Sequence, residues 1–270
     1  MEEKVKVSVV TPTYNRGNLL YKLYYSLINQ TCEKFEWIII DDGSTDNTEQ
    51  IVKKFIFSKK IKIYYLKKEN GGKHTAINYI LDKNDLLQEL VFFVDSDDYL
   101  SDDAVEKIIY FYKNIKNKKI YSGLCFQKIN TKDNKFICQS FPKKVFDSDI
   151  FEMINKYHIH QDKAEIFFKN ELIKYRFPVI KGEKFFSEMY VWMELTRNKK
   201  MRFIDDGIYY CEYLEDGYTK NFKNILKKNL VGNSLYYKKI FFEKKFSYIF
   251  RLRALYRLIQ VYIYKLKGKN

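Results

Sequence analysis

Short apolar runs alternate with helical patterns over the first hundred residues. Four continuous apolar runs predict strands, at residues 5–10, 35–40, 61–66 and 90–94. Apolar residues at i, i+3 and i+4 spacing predict intervening helices, at residues 19–29, 45–57 and 73–81. Strands that are apolar on both faces are typical of a parallel sheet covered by helices on both sides. The pattern therefore predicts an α/β fold with a Rossmann-like, mostly parallel central sheet.

The remainder of the chain has a weaker pattern. A helix is predicted at residues 101–115 and strand-like segments at residues 119–128 and 135–141, followed by mixed helix and loop to about residue 213. Beyond residue 219 the pattern becomes helical, basic and aromatic.

Polar residues follow each of the four predicted strands. In open parallel sheets, ligands bind beyond the carboxyl ends of the strands, so these residues are expected to meet at one edge. The four segments are Thr11-Pro12-Thr13-Tyr14-Asn15-Arg16, Asp41-Asp42-Gly43-Ser44, Asn70-Gly71-Gly72-Lys73-His74 and Asp95-Ser96-Asp97-Asp98.

The segment after the fourth strand places three carboxylates within four residues. Carboxylates this close repel one another unless a cation or hydrogen-bond donors neutralise them. A divalent cation that bridges Asp95, Asp97 or Asp98 to a diphosphate would do so, and an oxygen-only ligand set favours Mg²⁺ or Mn²⁺ over zinc. The alternative is a solvated turn in which Asp98 or Ser101 caps the next helix.

Two further segments contribute candidate nucleotide contacts. One aspartate of the Asp41-Asp42 pair can accept hydrogen bonds from a base or a ribose, although both could simply favour a helix N-terminus. The Asn70–His74 turn brings a flexible backbone and the charge of Lys73 to a helix start, which suits phosphate oxygens. It lacks Walker A spacing, so ATP hydrolysis is not indicated.

Taken together, the four motifs resemble those of the inverting family 2 glycosyltransferases, which have a GT-A fold. The resemblance covers roughly residues 5–110, with Asp95-Ser96-Asp97-Asp98 in the place of the family's metal-binding DxD motif. It implies a nucleotide-sugar-binding half at residues 1–98, an acceptor-binding half at residues 99–215 and, beyond the family core, the basic aromatic helical tail at residues 216–270.

The resemblance also implies roles for individual residues. Pro12 and Tyr14 would lie against the nucleotide, Asp42 would read the base, and Asp95 would lie near the ribose or the metal. Asp97 would hold the metal, Mn²⁺ or Mg²⁺, with Asp98 as an additional candidate ligand. Many relatives have an arginine a few residues into the third loop, whereas this chain has Lys73 at the helix start, so Lys73 is the candidate nucleotide contact.

An inverting transfer needs a base that removes the proton from the acceptor hydroxyl. The segment at residues 177–188 resembles the family's acceptor-side loop, in which an acidic residue opens the following helix. Glu188 occupies that position and is the expected base, with Glu183 as the alternate. A glutamate at a helix N-terminus is also favoured by the helix dipole alone. Asp162-Lys163-Ala164-Glu165 resembles a segment in some bacterial relatives and is expected to line the acceptor pocket.

The implied function is transfer of a sugar, with UDP as the expected nucleotide, to a glycan or lipid-linked acceptor in surface polysaccharide or glycolipid synthesis. A sugar nucleotidyltransferase is the first alternative, but it would have a glycine-rich basic loop directly after the first strand. A nucleic-acid-binding protein is the second, suggested by the net charge of +15. However, residues 220–270 hold 14 Lys or Arg against one acidic residue, so the charge is concentrated in the tail and no nucleic-acid partner is expected.

The tail and the cysteines suggest where the protein works. In the tail, apolar residues recur at helical spacing among basic ones, which is typical of a helix in an anionic membrane interface or of one packed on the domain with a solvated basic face. The four cysteines are far apart, and no run of 18 apolar residues is present. A charged N-terminus runs straight into the first strand, which argues against a signal peptide. These features favour a cytoplasmic protein, with the inner face of the membrane as a peripheral attachment site.

Overall fold

The computed structural model describes residues 5–211 and 222–267. Its first half is a parallel sheet in the order β3-β2-β1-β4. The strands are β1 (Val7–Thr13), β2 (Phe35–Asp41), β3 (Ile63–Lys67) and β4 (Leu90–Phe93). The intervening helices are α1 (Leu20–Ile28), α2 (Thr48–Ser58) and α3 (Lys73–Asp82). These seven elements match the predicted ones to within three residues at nearly every end.

Both faces of this sheet are buried, as the continuous apolar runs predict. Val9 belongs to the hydrophobic cluster on the α1 and α2 side, whereas Val10, the next residue, belongs to the cluster on the α3 side. Ile39 and Ile40 of β2 divide between the two clusters in the same way. Because the four strands pair in parallel, their carboxyl ends all lie at the same edge of the sheet.

The second half extends the same sheet in the order β4-β8-β6-β9-β5, with β7 paired to β9. Its strands are β5 (Tyr99–Leu100), β6 (Tyr121–Asn130), β7 (Val145–Ser148), β8 (Ala164–Phe168) and β9 (Lys200–Cys211). Its helices are α4 (Ala104–Lys113), α5 (Ile150–Asn155), α6 (Lys169–Leu172) and α7 (Met189–Thr196). β8 runs antiparallel to both of its neighbours, while β9 runs parallel to β6.

Two sequence predictions for this half are wrong. The stretch expected to be mixed helix and loop contains β8 and β9, two central strands. Asp205, Asp206 and Gly207 have the composition of a turn, but they lie within β9. The pairing of β9 with β6 shifts register at this point, which makes the strand irregular there. Residues 135–141 form no strand and make a single isolated bridge, between Phe136 and Ile129.

The C-terminal region is helical, as predicted, and consists of α8 (Phe222–Lys228), α9 (Leu230–Phe242) and α10 (Tyr248–Lys267). The expected start of the tail at residue 216 lies outside the described residues, and the three-segment division of the chain stays a prediction. None of the helices within residues 5–211 and 222–267 is both long enough and apolar enough to cross a lipid bilayer.

Candidate active site

The loops after β1 and β2 are joined at the carboxyl edge of the sheet. The backbone N–H of Asn15 donates to Ser44 Oγ at 2.9 Å, and the Asn15 Oδ1 atom accepts from the backbone N–H of Thr45 at 2.8 Å. Asn15 has a φ of 50°, which turns the chain sharply just after Tyr14. Pro12 is buried within β1, whereas Tyr14 is exposed just beyond the end of the strand. Of these two predicted nucleotide contacts, only Tyr14 therefore offers an accessible side chain.

Asp42 connects the β2 loop to the loop before α3. Its Oδ1 atom accepts from Lys68 Nζ at 2.6 Å, and its Oδ2 atom accepts from the backbone N–H of Gly72 at 2.6 Å. The Gly71 N–H and the Asn70 amide also donate to this carboxylate. Both oxygens are therefore occupied by loop donors, and a direct contact from Asp42 to a base would require one of these bonds to open.

Three buried side-chain atoms in the described part of the chain have neither a hydrogen-bond partner nor an ion-pair partner, and all of them border this edge. They are Thr13 Oγ1, Asn70 Oδ1 and His74 Nδ1. Buried polar atoms are almost always paired in folded proteins, so each unpaired one needs an explanation. Their concentration at the carboxyl edge is what a site for a polar ligand would produce.

Lys73, at the start of α3, joins two of the predicted site residues. Its Nζ atom lies 2.5 Å from Asp95 Oδ1 and 2.8 Å from Glu188 Oε1, so the two carboxylates share one ammonium group. Burial opposes the charge on Lys73, but Asp95 and Glu188 outweigh it and raise its pKa. The pKa of Asp95 is lowered because Lys73 and Lys128 outweigh the burial of its carboxyl. The structure thus brings the predicted metal-loop aspartate and the predicted base to one point.

Gly72 makes this approach possible. It has a φ of +94°, and a Cβ atom at this position would lie 2.0 Å from the carbonyl oxygen of Lys184. Only a glycine lets the start of α3 pass so close to the segment that leads to Glu188. Glu188 itself directly precedes α7, as predicted for the residue that opens this helix.

Asp97 forms an ion pair with Arg16, with 2.7 Å between Asp97 Oδ2 and Arg16 Nη1. The side chains of Asp95 and Asp97 are both partly open to solvent, and each meets one cationic side chain. Within residues 5–211 and 222–267, no group of three or more His, Cys, Asp or Glu side chains could hold a metal alone. Mg²⁺ commonly takes only one or two carboxylates and fills its shell with water and substrate phosphates. The two aspartates therefore fit a cation that is bound together with a diphosphate.

Asp98 has a different environment. It is buried, and its Oδ2 atom accepts a hydrogen bond of 2.7 Å from the Tyr209 hydroxyl, which also accepts one of 3.0 Å from the Asp95 backbone N–H. Burial raises the pKa of Asp98 to about 7, and the charge of Asp95 adds to the shift. Lys128 Nζ lies 4.0 Å from the centre of the Tyr209 ring. Tyr209 therefore fixes the Asp95–Asp98 turn, and Asp98 is engaged as a structural acceptor.

Sequence reasoning missed Tyr209, Lys128 and the pairing role of Arg16. Tyr209 and Lys128 belong to β9 and β6, distant in sequence, and no local pattern marks them. Arg16 follows the first strand directly and could have been considered as a partner for the acidic loop.

The acceptor-side glutamates separate into two roles. Glu165 of β8 has a pKa raised to about 7 by burial, opposed by Lys163 and Lys128 and increased by the charges of Asp162 and Glu188. Its carboxyl is thus close enough to Glu188 for the two charges to interact. Glu183, the alternate base, instead binds the N-terminus of α9: its carboxylate accepts from the backbone N–H groups of Val231 and Gly232, each at 2.7 Å. This capping role argues against Glu183 as the base.

Known proteins share sequence and fold with this chain. The sequence profile described as "Glycosyl transferase family 2" matches residues 8–175. The glycosyltransferase GlyA of Streptococcus pneumoniae is 34% identical over 168 residues, which cover 59% of this chain and 23% of that protein. The poly(ribitol-phosphate) beta-N-acetylglucosaminyltransferase TarP of Staphylococcus aureus is 38% identical over 122 residues, which cover 44% of this chain and 36% of TarP. Both relatives are thus much longer than the part that matches.

Solved structures share the fold. S. aureus TarS residues 1–349 in complex with UDP-GlcNAc superimposes with a TM-score of 0.65 at 20% identity, over 97% of this chain and 73% of that one. The mannosyltransferase PcManGT from Pyrobaculum calidifontis, in complex with GDP-Man and Mn²⁺, gives a TM-score of 0.62 at 16% identity, over 99% of this chain and 76% of that one. The GT-A fold inferred from the four motifs is confirmed. The chain belongs to glycosyltransferase family 2.

Proposed function

We propose that this glycosyltransferase is an inverting enzyme that moves a sugar from a nucleotide diphosphate to an acceptor hydroxyl at the carboxyl edge of the sheet. The observation that carries the proposal is the shared contact of Lys73 with Asp95 and Glu188. Asp95 is suited to the diphosphate and Glu188 to the acceptor hydroxyl. Their common contact with Lys73 brings them close together, as a direct displacement requires.

UDP is the proposed nucleotide of the donor. TarS in the solved complex binds UDP-GlcNAc, whereas PcManGT binds GDP-Man, so the fold accepts either base. The sequence relatives TarP and TarS, both named N-acetylglucosaminyltransferases, favour UDP-GlcNAc as the first donor to test. The unpaired Asn70 Oδ1, His74 Nδ1 and Thr13 Oγ1 atoms supply contacts for the nucleoside.

In the proposed reaction, the acceptor oxygen attacks the anomeric carbon while the bond from that carbon to the diphosphate oxygen breaks. The configuration at the anomeric carbon inverts because this is a single displacement. Glu188 receives the proton of the acceptor hydroxyl. Lys73 and Arg16 lie where the leaving diphosphate gains negative charge and stabilise it electrostatically.

Asp95 and Asp97 would hold the divalent cation, Mn²⁺ or Mg²⁺. When bound, such a cation neutralises charge on the diphosphate and so makes it a better leaving group. Arg16 and Lys73 form ion pairs with these carboxylates and balance their charge. Tyr209 keeps the turn in place by holding Asp98 and the Asp95 backbone.

The proposed acceptor is a glycan or a lipid-linked glycan of a surface polysaccharide, and the proposed compartment is the cytoplasm. The four cysteines support the compartment, since all are free thiols, and burial raises the pKa of Cys125, Cys138 and Cys211. The names of TarP and TarS, poly(ribitol-phosphate) beta-N-acetylglucosaminyltransferases, support a polymeric acceptor.

Release of UDP from UDP-GlcNAc and other UDP-, GDP- and dTDP-sugars tests the proposal, with Mn²⁺, Mg²⁺ or EDTA and a panel of glycan acceptors. Wild type should turn over one donor in a metal-dependent manner. Glu188→Gln should lower kcat by roughly 10²–10⁴-fold, the usual contribution of a general base, while it still binds UDP. Release of pyrophosphate in place of a nucleoside diphosphate would indicate a nucleotidyltransferase and contradict the proposal.

Glu183→Gln discriminates between the two candidate bases. Because Glu183 caps α9, its substitution should lower stability, while turnover per folded molecule falls much less than in Glu188→Gln. If Glu183→Gln instead abolishes turnover at unchanged stability and Glu188→Gln does not, the base has been assigned to the wrong glutamate.

A further inference from the structure

The last helix has an apolar face that the rest of the described chain leaves uncovered. α10 is 20 residues long, and Ala254 and Val261 on its inner side are buried against the neighbouring helices. On the outer side, Leu252, Tyr256, Ile259 and Ile263 follow one another at intervals of three or four residues. These four side chains are between 41% and 59% exposed. We call them the outer stripe.

Other exposed apolar residues extend the outer stripe at both ends. Tyr248 and Ile249 are 71% and 66% exposed at the start of the helix, and Tyr262 and Leu266 are 63% and 51% exposed near its end. An ideal helix of this length spans roughly 30 Å, so the apolar surface is long and narrow. Scattered exposed apolar residues are normal, but a continuous stripe along a whole helix marks an interaction site.

Positive charges border this surface and acidic ones are absent from the helix. Arg253 and Lys267 are exposed beside the outer stripe, Lys265 is exposed near the end of the helix, and α10 contains no Asp or Glu. Residues 222–267 contain one acidic residue, Glu243, and its carboxylate is paired with Arg197 at 2.5 Å. The surface is therefore apolar along its centre and cationic around it.

We propose that α10 docks on the surface of an anionic lipid bilayer, with the outer stripe inserted among the acyl chains and its basic residues against the headgroups. Apolar residues of an interfacial helix enter the boundary between headgroups and acyl chains, while lysine and arginine bind anionic lipid. Tyrosines at the two ends of the stripe suit the headgroup level, where aromatic rings with a polar tip are enriched.

Charge favours the bilayer over a second copy of the chain. Two copies that met through this helix would bring their basic residues together, and like charges across an interface are unfavourable. An anionic bilayer instead supplies the opposite charge over the whole length of the helix.

The docked helix would be joined to the acceptor side of the site. α9, which packs on α10, is capped by Glu183, and Asn229 Oδ1 accepts from the backbone N–H groups of Lys184 and Phe185 at 3.1 and 3.0 Å. Lys239 of α9 donates to the Tyr190 carbonyl at 2.8 Å. These contacts flank Glu188. The further step, that docking presents a lipid-borne acceptor to Glu188, rests on the proposed function.

Flotation of the full chain with lipid vesicles tests the docking without any need for turnover. The vesicles are phosphatidylcholine alone and a mixture of phosphatidylcholine with phosphatidylglycerol. Wild type should float with the mixed vesicles only. A variant of the outer stripe, Leu252→Ser with Ile259→Ser and Ile263→Ser, should bind roughly a hundredfold more weakly because three apolar side chains no longer insert.

Matched variants separate insertion, charge and general surface effects. A control with Ile56→Ser, Phe57→Ser and Val179→Ser, all exposed apolar residues outside the tail, should bind as wild type does. Arg253→Gln and Lys267→Gln should each weaken binding by roughly fivefold. Circular dichroism and thermal melts confirm that each variant is folded.

Two results would overturn the docking proposal. One is a wild-type chain that does not float with anionic vesicles. If, in that case, the outer-stripe variant also converts a dimer to a monomer in analytical ultracentrifugation, the outer stripe binds a second copy of the chain. The other is an outer-stripe variant that is folded and floats as well as wild type. Either result leaves the transferase proposal standing, since donor turnover is measured separately.

Discussion

Removal of the Tyr209 hydroxyl should loosen the acidic turn and weaken donor binding. In Tyr209→Phe the ring, which is 1% exposed, keeps its packing, but two hydrogen bonds are lost. The bond to the Asp98 carboxyl is worth about 1–3 kcal/mol, more when Asp98 is ionised, and the bond from the Asp95 N–H is worth about 1 kcal/mol. The free energy of unfolding should therefore fall by about 2–4 kcal/mol. Because Asp95 lies on the released turn, the Kd for UDP with Mn²⁺ should rise at least roughly tenfold.

Urea denaturation and calorimetric titration with UDP measure the two effects. Tyr210→Phe is the matched control, since the ring of Tyr210 stacks on Tyr99 with 4.9 Å between centroids, an arrangement that needs no hydroxyl. It should change either quantity only slightly. If Tyr209→Phe is as stable as wild type and binds UDP equally well, then Tyr209 does not hold the turn and the inferred positioning role is refuted.

Two other predictions concern stability. Gly72→Ala should destabilise the protein by roughly 3 kcal/mol or more in urea denaturation, because its Cβ would overlap the Lys184 carbonyl. Gly182→Ala is the control: Gly182 has a φ of +84° but no atom within 4 Å of the added Cβ, so the substitution should cost only roughly 1 kcal/mol. Equal losses of stability would mean that the close approach of Gly72 to Lys184 is not present. Glu194 has its pKa lowered from 4.5 to about 2, mainly by its hydrogen bonds with Arg197, and Lys239 lowers it further. Its folded-state pKa lies below the unfolded value, so it contributes stability above about pH 4.5 that is lost as the pH falls toward 2. The stability difference between wild type and Glu194→Gln should accordingly be up to roughly 3 kcal/mol near neutral pH and shrink over that window, and a constant difference would contradict the assignment.

The nucleotide half of the fold could be predicted because its signals are local. Each strand of β1 to β4 is a continuous apolar run, and each is followed by a polar motif in the order that family 2 members share. The acceptor half could not be predicted in the same way. β9 carries Asp205-Asp206-Gly207 at a register shift, and only its pairing with β6 and β7 identifies it as a strand.

The site residues also divide into those that local motifs predict and those that only long-range strand pairing reveals. Asp95, Asp97, Lys73 and Glu188 belong to motifs, and the structure brings three of them into direct contact. Tyr209 and Lys128 reach the acidic turn from β9 and β6, which lie much further along the chain, so that only the folded sheet reveals them. Motifs also do not show how a side chain is used. The Asp42 carboxylate is held by loop amides, and the Glu183 carboxylate caps a helix.

Calorimetric titration of UDP tests the central claim, that the acidic turn holds a nucleoside diphosphate through a divalent cation. With Mn²⁺, wild type and Glu188→Gln should bind UDP with similar Kd, since the proposed base does not contact the diphosphate. Binding should weaken at least roughly tenfold in Asp97→Asn and in wild type with EDTA. Equal Kd values for wild type and Asp97→Asn, unchanged by EDTA, would contradict a metal-dependent site at this turn.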